Sequence, residues 1–465
     1  MRTRLMKIFQ LAAWFGLAIV IFSAPFGRSE SYIEFVSIFY LVIAGLVLAS
    51  SIMSTRRGGI DYLISFFYLF FLAYPGLVQV SFGIFPWGAS LSYSDLALAY
   101  GIIALSQAAY LSGTGFYLMQ RRQKLRVRSS LGNDFDLDSC VFYARWAVGF
   151  AIFALLLAVM VGPGQLFRAR FEGGGEGGGL KTQFLFIGRS LSLLAMVIFL
   201  SLARYAPSMM IKRFTIWSAI LYTPIFLMLN FPPALPRFLL FGNAIALSCI
   251  YIDFLKPKVK FLMTFAAVSI LFVVFPAAKV IARPDASFQD IVNIFRIRDI
   301  VPKLLTGEFD GFMQIASTVQ YLATEPIRWG MNLLGAFLFF VPRALWPSKP
   351  VHSGVIVSEE LGYLYNNVAN PLPSEALLAF SLPGVLILFV LLGFWISHVE
   401  TNGSAILSSE RGFHNFFLYA ILMGFIIIIF RGALNAVAPQ ALTGILAYWV
   451  MMLAKRWKVT WKTRT

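Results

Sequence analysis

Twelve stretches of mostly apolar residues recur along this 465-residue chain, each near the length of about 20 residues that a helix needs to cross a bilayer. They lie at roughly 8–26, 33–53, 61–80, 95–118, 141–162, 184–203, 214–231, 237–255, 260–280, 374–396, 414–431 and 433–453. Backbone placed in lipid must satisfy its own hydrogen bonds, so stretches of this kind pack as helices. The expected fold class is an all-α polytopic membrane protein with about 12 transmembrane helices. With 59% hydrophobic and only 13% charged residues, a soluble multidomain protein is excluded.

The formal charge of +17 does not point to nucleic acid. The basic residues sit in short clusters between apolar runs rather than along one face of a soluble domain. Short loops rich in Lys and Arg stay on the cytoplasmic side. Placing the N-terminus inside makes segments 1–7, 54–60, 119–139, 204–213, 256–260, 397–413 and 454–465 cytoplasmic, and these hold more than half of the 38 basic residues. Both termini are then expected on the cytoplasmic side. The start, Met1 to Lys7 followed by Ile8 to Phe26, has the outline of a signal peptide but no small-x-small cleavage site, and reads as a first membrane helix. Cys140 and Cys249 have no metal or disulfide spacing and read as packing residues.

Three regions follow: an N-terminal bundle at 1–281, an external segment at 282–373, and C-terminal helices with a basic tail at 374–465. The external segment carries seven basic and eight acidic residues, and its apolar residues are patterned. Phe312, Ile315, Val319 and Leu322 recur at helical spacing, which predicts an amphipathic helix on the membrane surface or capping the bundle. The apolar run Ile327 to Val341 is too short to span and ends at Pro342, so it is expected to be re-entrant or interfacial. A second external loop, 162–184, joins Arg168 and Arg170 to six glycines within 173–179, which reads as a mobile lid or as a plain spacer.

Charge inside a bilayer is costly and usually functional. Asp61, Asp95 and Asp253 all fall at predicted helix ends, and no carboxylate is expected near midplane, which argues against an ion-coupled carrier. The absence of an internal repeat or of interrupted helices at matching positions in two halves also argues against transport. By contrast Arg189, Lys279 and Arg431 lie inside or at the outer ends of helices, and Arg237 sits in the external turn Asn230-Phe-Pro-Pro-Ala-Leu-Pro-Arg237. Each alone reads as a side chain snorkelling to headgroups. Together they point to an anionic ligand at the outer surface, because the planar guanidinium binds phosphate oxygens in pairs and stays ionised when partly buried.

The string Val341-Pro-Arg-Ala-Leu-Trp-Pro-Ser-Lys-Pro350, with His352, Gly354, Pro371-Leu-Pro-Ser-Glu375 and the upstream Gly307-Glu-Phe-Asp310, resembles the external loop of O-antigen polymerases of the Wzy type. The likeness is residue-level over about 307–385 and otherwise one of architecture, a bundle like those of the C-type glycosyltransferases. Oligosaccharide ligases and flippases or exporters of the same lipid-linked sugars are the alternatives. The resemblance implies transfer of a growing glycan from undecaprenyl diphosphate to a sugar hydroxyl of another lipid-linked repeat unit, with no metal or other cofactor. Its implied partners are that lipid-linked oligosaccharide, membrane lipids, a chain-length regulator and a flippase, and no nucleic acid. Fixed positive charge is needed where the departing diphosphate develops charge; the candidates are Arg237, Arg343, Lys349 and Arg431, followed by Arg168, Arg170 and Arg189. Glu375, Asp310 and His352 are the candidate bases for the acceptor hydroxyl, with Glu375 first. Trp346 is a candidate to stack on a sugar or to anchor the loop at the interface.

Overall fold

A computed structural model of the protein describes residues 2–27, 29–55, 57–124, 137–167, 180–274, 300–366, 368–404 and 413–462. Helices account for its architecture, with no strand among the described residues. In chain order they are α1 (Arg2–Ser23), α2 (Glu30–Met53), α3 (Gly59–Phe82), α4 (Tyr93–Lys124), α5 (Leu137–Val161), α6 (Leu180–Tyr205), α7 (Met209–Leu229), α8 (Arg237–Ser248) and α9 (Pro257–Val274). The 300–366 segment contributes α10 (Ile300–Leu304), α11 (Gly311–Thr324), α12 (Met331–Phe337) and α13 (Ser353–Glu360). The chain closes with α14 (Leu372–Gly403), α15 (Phe413–Arg431) and α16 (Leu434–Lys462).

Among the described residues, eleven helices are long and apolar enough to cross a membrane, namely α1 to α7, α9 and α14 to α16. The multi-pass membrane fold is therefore as expected, with one difference in how a pass is made. The stretch expected to span at 237–255 forms only the 12-residue helix α8, which at 1.5 Å per residue covers about 18 Å. Turns complete its path: Arg237 pairs with Glu308 at one end of the bundle, while the Ile250 carbonyl accepts from Tyr205 Oη at the other. The short helix thus preserves the alternation of sides. We call the end carrying 300–366 the loop face and the opposite end the basic face.

Close backbone approach, rather than hydrophobic contrast, holds helices together in lipid. Gly113 of α4 and Gly393 of α14 leave room for each other's helix, as do Gly242 of α8 and Gly424 of α15; a Cβ at any of the four would overlap backbone of the partner helix. The helices are also less regular than the hydropathy suggests. α3 carries a π-helical segment, Tyr68–Ala73, and α14 is broken at Phe380 and Ser381, where Ser381 has φ 57°. The break frees carbonyls that the segment before α12 takes up: Arg328 N–H donates to Leu378 O at 2.7 Å and Gly330 N–H to Ala379 O at 3.0 Å.

The 300–366 segment folds against the bundle. α11 is not a surface helix: Phe312, Met313, Ile315 and Ala316 are fully buried, and so are its polar residues Gln314, Ser317 and Thr318. Its Phe312 ring lies 4.6 Å from that of Tyr100 in α4, so the amphipathic pattern marks insertion between other elements. α12 is only seven residues long, too short to span, and exposes Met331, Leu334 and Phe337 on one side. Cys140 and Cys249 are both buried.

A buried ionic cluster ties the basic face. Glu400, expected in a loop, is helical because α14 runs on to Gly403. Its Oε1 accepts from the N–H groups of Ile60 at 2.7 Å and Asp61 at 3.0 Å, capping the start of α3. Lys260 Nζ donates to Ser51 O and Ser54 O, each at 2.9 Å, and to Arg57 O at 2.5 Å, satisfying carbonyls at the end of α2. Asp61 accepts from Ser51 Oγ and faces Arg57 at 3.7 Å.

Candidate functional site

At the loop face the chain gathers its charges in two places. The first is built on the turn before α11. Gln79 of α3 donates through Nε2 to Leu304 O and Phe309 O, which fixes the Gly307-Glu-Phe-Asp310 turn on the bundle. Asp310 is 2% exposed. Its Oδ2 accepts from Trp87 Nε1 at 3.1 Å and from Ala369 N–H at 3.3 Å. Its Oδ1 has no hydrogen-bond donor and faces Arg431 Nη2 at 3.8 Å. Burial raises the Asp310 carboxyl above its ordinary value, and Arg431, Trp87 and Ala369 offset part of that rise.

Arg431, at the end of α15, donates to Glu308 O at 3.1 Å and lies 4.7 Å above the Phe238 ring. Arg237, at the start of α8, faces Glu308 Oε1 at 3.5 Å. The π-helical turn of α3 supports the assembly from below, with Phe71 against both Phe238 and Phe309. Arg237, Arg431 and Asp310 are thus brought together, and Glu308 completes two pairs of opposite charge.

Trp87 was not legible as part of this site. It lies in the turn between α3 and α4 with φ 62°, a backbone region that costs a bulky residue energy and recurs at functional sites. Gly307 makes room for the indole, since a Cβ there would overlap the ring. Tyr365 stacks on the indole with ring centres 4.7 Å apart.

The second place is a cavity of about 450 Å³ between the first turns of α6 and α16 and the 339–352 loop. Arg343, Lys349 and His352 line it, with Gln183, Thr182 and Asn435 as neutral polar groups and Leu180, Phe186 and Phe339 as apolar wall. Among the described residues, no acidic one lines it. The two cations also wind their own loop: Arg343 donates to Lys349 O at 2.7 Å and Lys349 Nζ to Phe339 O and Val341 O. Burial and the Arg343 charge both lower the ionisation of Lys349 and His352, burial being the larger cause for each.

Glu375 lies behind this cavity rather than in it, 1% exposed. Its Oε1 accepts from Ser353 Oγ at 2.6 Å and Leu434 N–H at 2.9 Å, and its Oε2 from Asn332 Nδ2 at 2.7 Å. It joins α12, α13, α14 and the start of α16. Both oxygens of Glu375 accept hydrogen bonds, which makes it a positioning group, whereas Asp310 keeps one oxygen without a donor and is the better candidate for a base.

Arg189 is buried in α6 and donates through Nε to Leu229 O at 2.9 Å, away from both places. Trp346 donates to its neighbour Ser348. Arg168, Arg170, Lys279 and the glycine run lie outside the described residues. Only four positions separate Arg431, which faces Asp310, from Asn435, which lines the cavity, so the α15–α16 turn links the two places. No protein-family model matches the chain, and neither a curated protein nor a solved structure does.

Proposed function

We propose that the protein is a metal-independent glycosyltransferase of the bacterial inner membrane, its loop face periplasmic, which polymerises oligosaccharide repeat units carried on undecaprenyl diphosphate. The observation that carries this reading is the cavity at the loop face, where Arg343 and Lys349 meet no acidic lining residue and an apolar wall stands beside them. A lipid diphosphate has the matching chemistry, anionic at the head and apolar behind it.

In the proposed step the acceptor sugar's hydroxyl oxygen attacks the anomeric carbon of the donor glycan. The bond from that carbon to the diphosphate oxygen breaks, and the lipid diphosphate leaves with the electron pair. Asp310 takes the hydroxyl proton on its unbonded oxygen. Arg343 and Lys349 hold the diphosphate and stabilise the charge it gains on leaving. Arg431 orients the Asp310 carboxylate, and Glu375 fixes the elements that form the cavity.

The test replaces Arg343 and Lys349 by Ala at constant protein level and separates the lipid-linked and surface glycans by size. Loss of long chains with accumulation of single repeat units is expected. Unchanged chain lengths overturn the reading. Long polymer left on its carrier identifies a ligase instead, and single units held on the cytoplasmic leaflet identify an exporter.

A further inference from the structure

A second cavity, of about 420 Å³, opens between α5 and α7 near the basic face. Val141, Ala144 and Val148 form one side and Met210, Ile211 and Phe214 the other, and among the described residues Arg145 is the only charged one in its lining. Arg145 is exposed although it sits eight residues inside α5, about 12 Å along the helix axis. The neighbouring outward side chains Ile152, Leu156, Ile216, Trp217 and Ile220 are exposed and apolar, so this surface faces lipid tails. A guanidinium on such a surface is costly unless it meets a phosphate or water.

We propose that this groove binds one anionic glycerophospholipid, its phosphate on Arg145 and an acyl chain in the slot between α5 and α7. Three features select that occupant over a protein or a soluble anion. The slot is apolar on both sides, it is continuous with the lipid-facing surface, and its one charge is positive. Lys212 and Arg213 are flanked by groove residues in α7, so the field along that helix favours an anionic headgroup. The site stands apart from the loop-face cavity and does not depend on the reaction proposed there.

The full chain, purified in detergent and mixed with equal amounts of phosphatidylglycerol and phosphatidylcholine, is examined by native mass spectrometry. Wild-type protein is expected to retain phosphatidylglycerol preferentially. Arg145→Ala should reduce that retention by about fivefold, the worth of one basic residue at an anionic membrane surface, with no change in elution volume. Val148→Trp, which fills the slot and keeps the charge, should also reduce it, and decides the matter alone if the arginine variant does not fold. Equal retention of both lipids by the wild type, unchanged phosphatidylglycerol in Val148→Trp, or preference for an added polyprenyl phosphate overturns the proposal.

Discussion

The two ends of the bundle hold their charges in opposite ways. At the basic face Arg57, Asp61, Lys260 and Glu400 are turned inward, and their bonds go to the ends of α2 and α3. At the loop face Arg343 and Lys349 also bond backbone carbonyls, yet they line a cavity that contains no acid. Helix ends in a membrane need charged or polar caps because water does not reach them. Charge that is used up in this way holds the fold together, whereas charge facing a cavity remains available to a ligand. Neither burial nor a backbone bond therefore separates structural from functional ions; whether each one also faces a cavity does.

The largest expected break of this contrast is Glu400→Ala. Removing it uncaps two buried N–H groups and takes from the cluster one of its two carboxylates, leaving Asp61 alone beside Arg57, a loss of about 3–5 kcal/mol for a buried ionic cluster. Thermal unfolding in detergent should show a collapse of stability for Glu400→Ala and little change for Arg343→Ala. Comparable loss in both variants would erase the distinction between the two ends.

Asp310 gives the next effect. Burial raises its carboxyl above the ordinary value, so the ionised base form is lost, as pH falls, at a higher pH than for an exposed aspartate. Transfer activity should decline on the acid side through that raised value, and Asp310→Asn should lower the rate by about 10²–10⁴-fold and remove the acid limb. The sign for stability is the reverse. The folded state holds the Asp310 proton more tightly than the unfolded chain, so its contribution is present at low pH and is lost as pH rises through the folded value. An acid limb that persists in Asp310→Asn would assign the base elsewhere.

His352→Gln is expected to do least. Burial and Arg343 lower the imidazole below its ordinary value, so it is neutral at pH 7 and brings a hydrogen bond rather than a charge to the cavity. Its loss should weaken binding of a lipid diphosphate by about tenfold or less, measured by titration in micelles. A larger loss that grows as pH falls would show that the imidazole acts as a third cation.

Much of the molecule was legible in the chain. Apolar length identified the membrane class and nearly every pass, because crossing hydrocarbon is a property of one segment and its own backbone. The cost of charge in a bilayer singled out Arg237 and Arg431 as groups needing a partner, together with Arg189, which the fold satisfies with a backbone carbonyl, while Arg343 and Lys349 came from the resemblance carried by 341–350. Sequence reasoning misplaced Glu400, since a helix that continues past its apolar part carries no hydropathy signal there. It also ranked Glu375 ahead of Asp310, because nothing in one segment shows how many donors a carboxylate meets from the others.

Only the tertiary structure decided what each charge faces. Trp87 and Asp310 are 223 positions apart, and Ile60 and Glu400 are 340 apart. Such pairings depend on how helices pack at close range through residues such as Gly113 and Gly393, which no single segment encodes. Length and polarity act locally, so the sequence alone determined that this chain is a helical membrane bundle with basic groups on both sides. Bonding partners come from packing across the whole bundle, so only the fold separated the cations that cap helices from those that line a cavity.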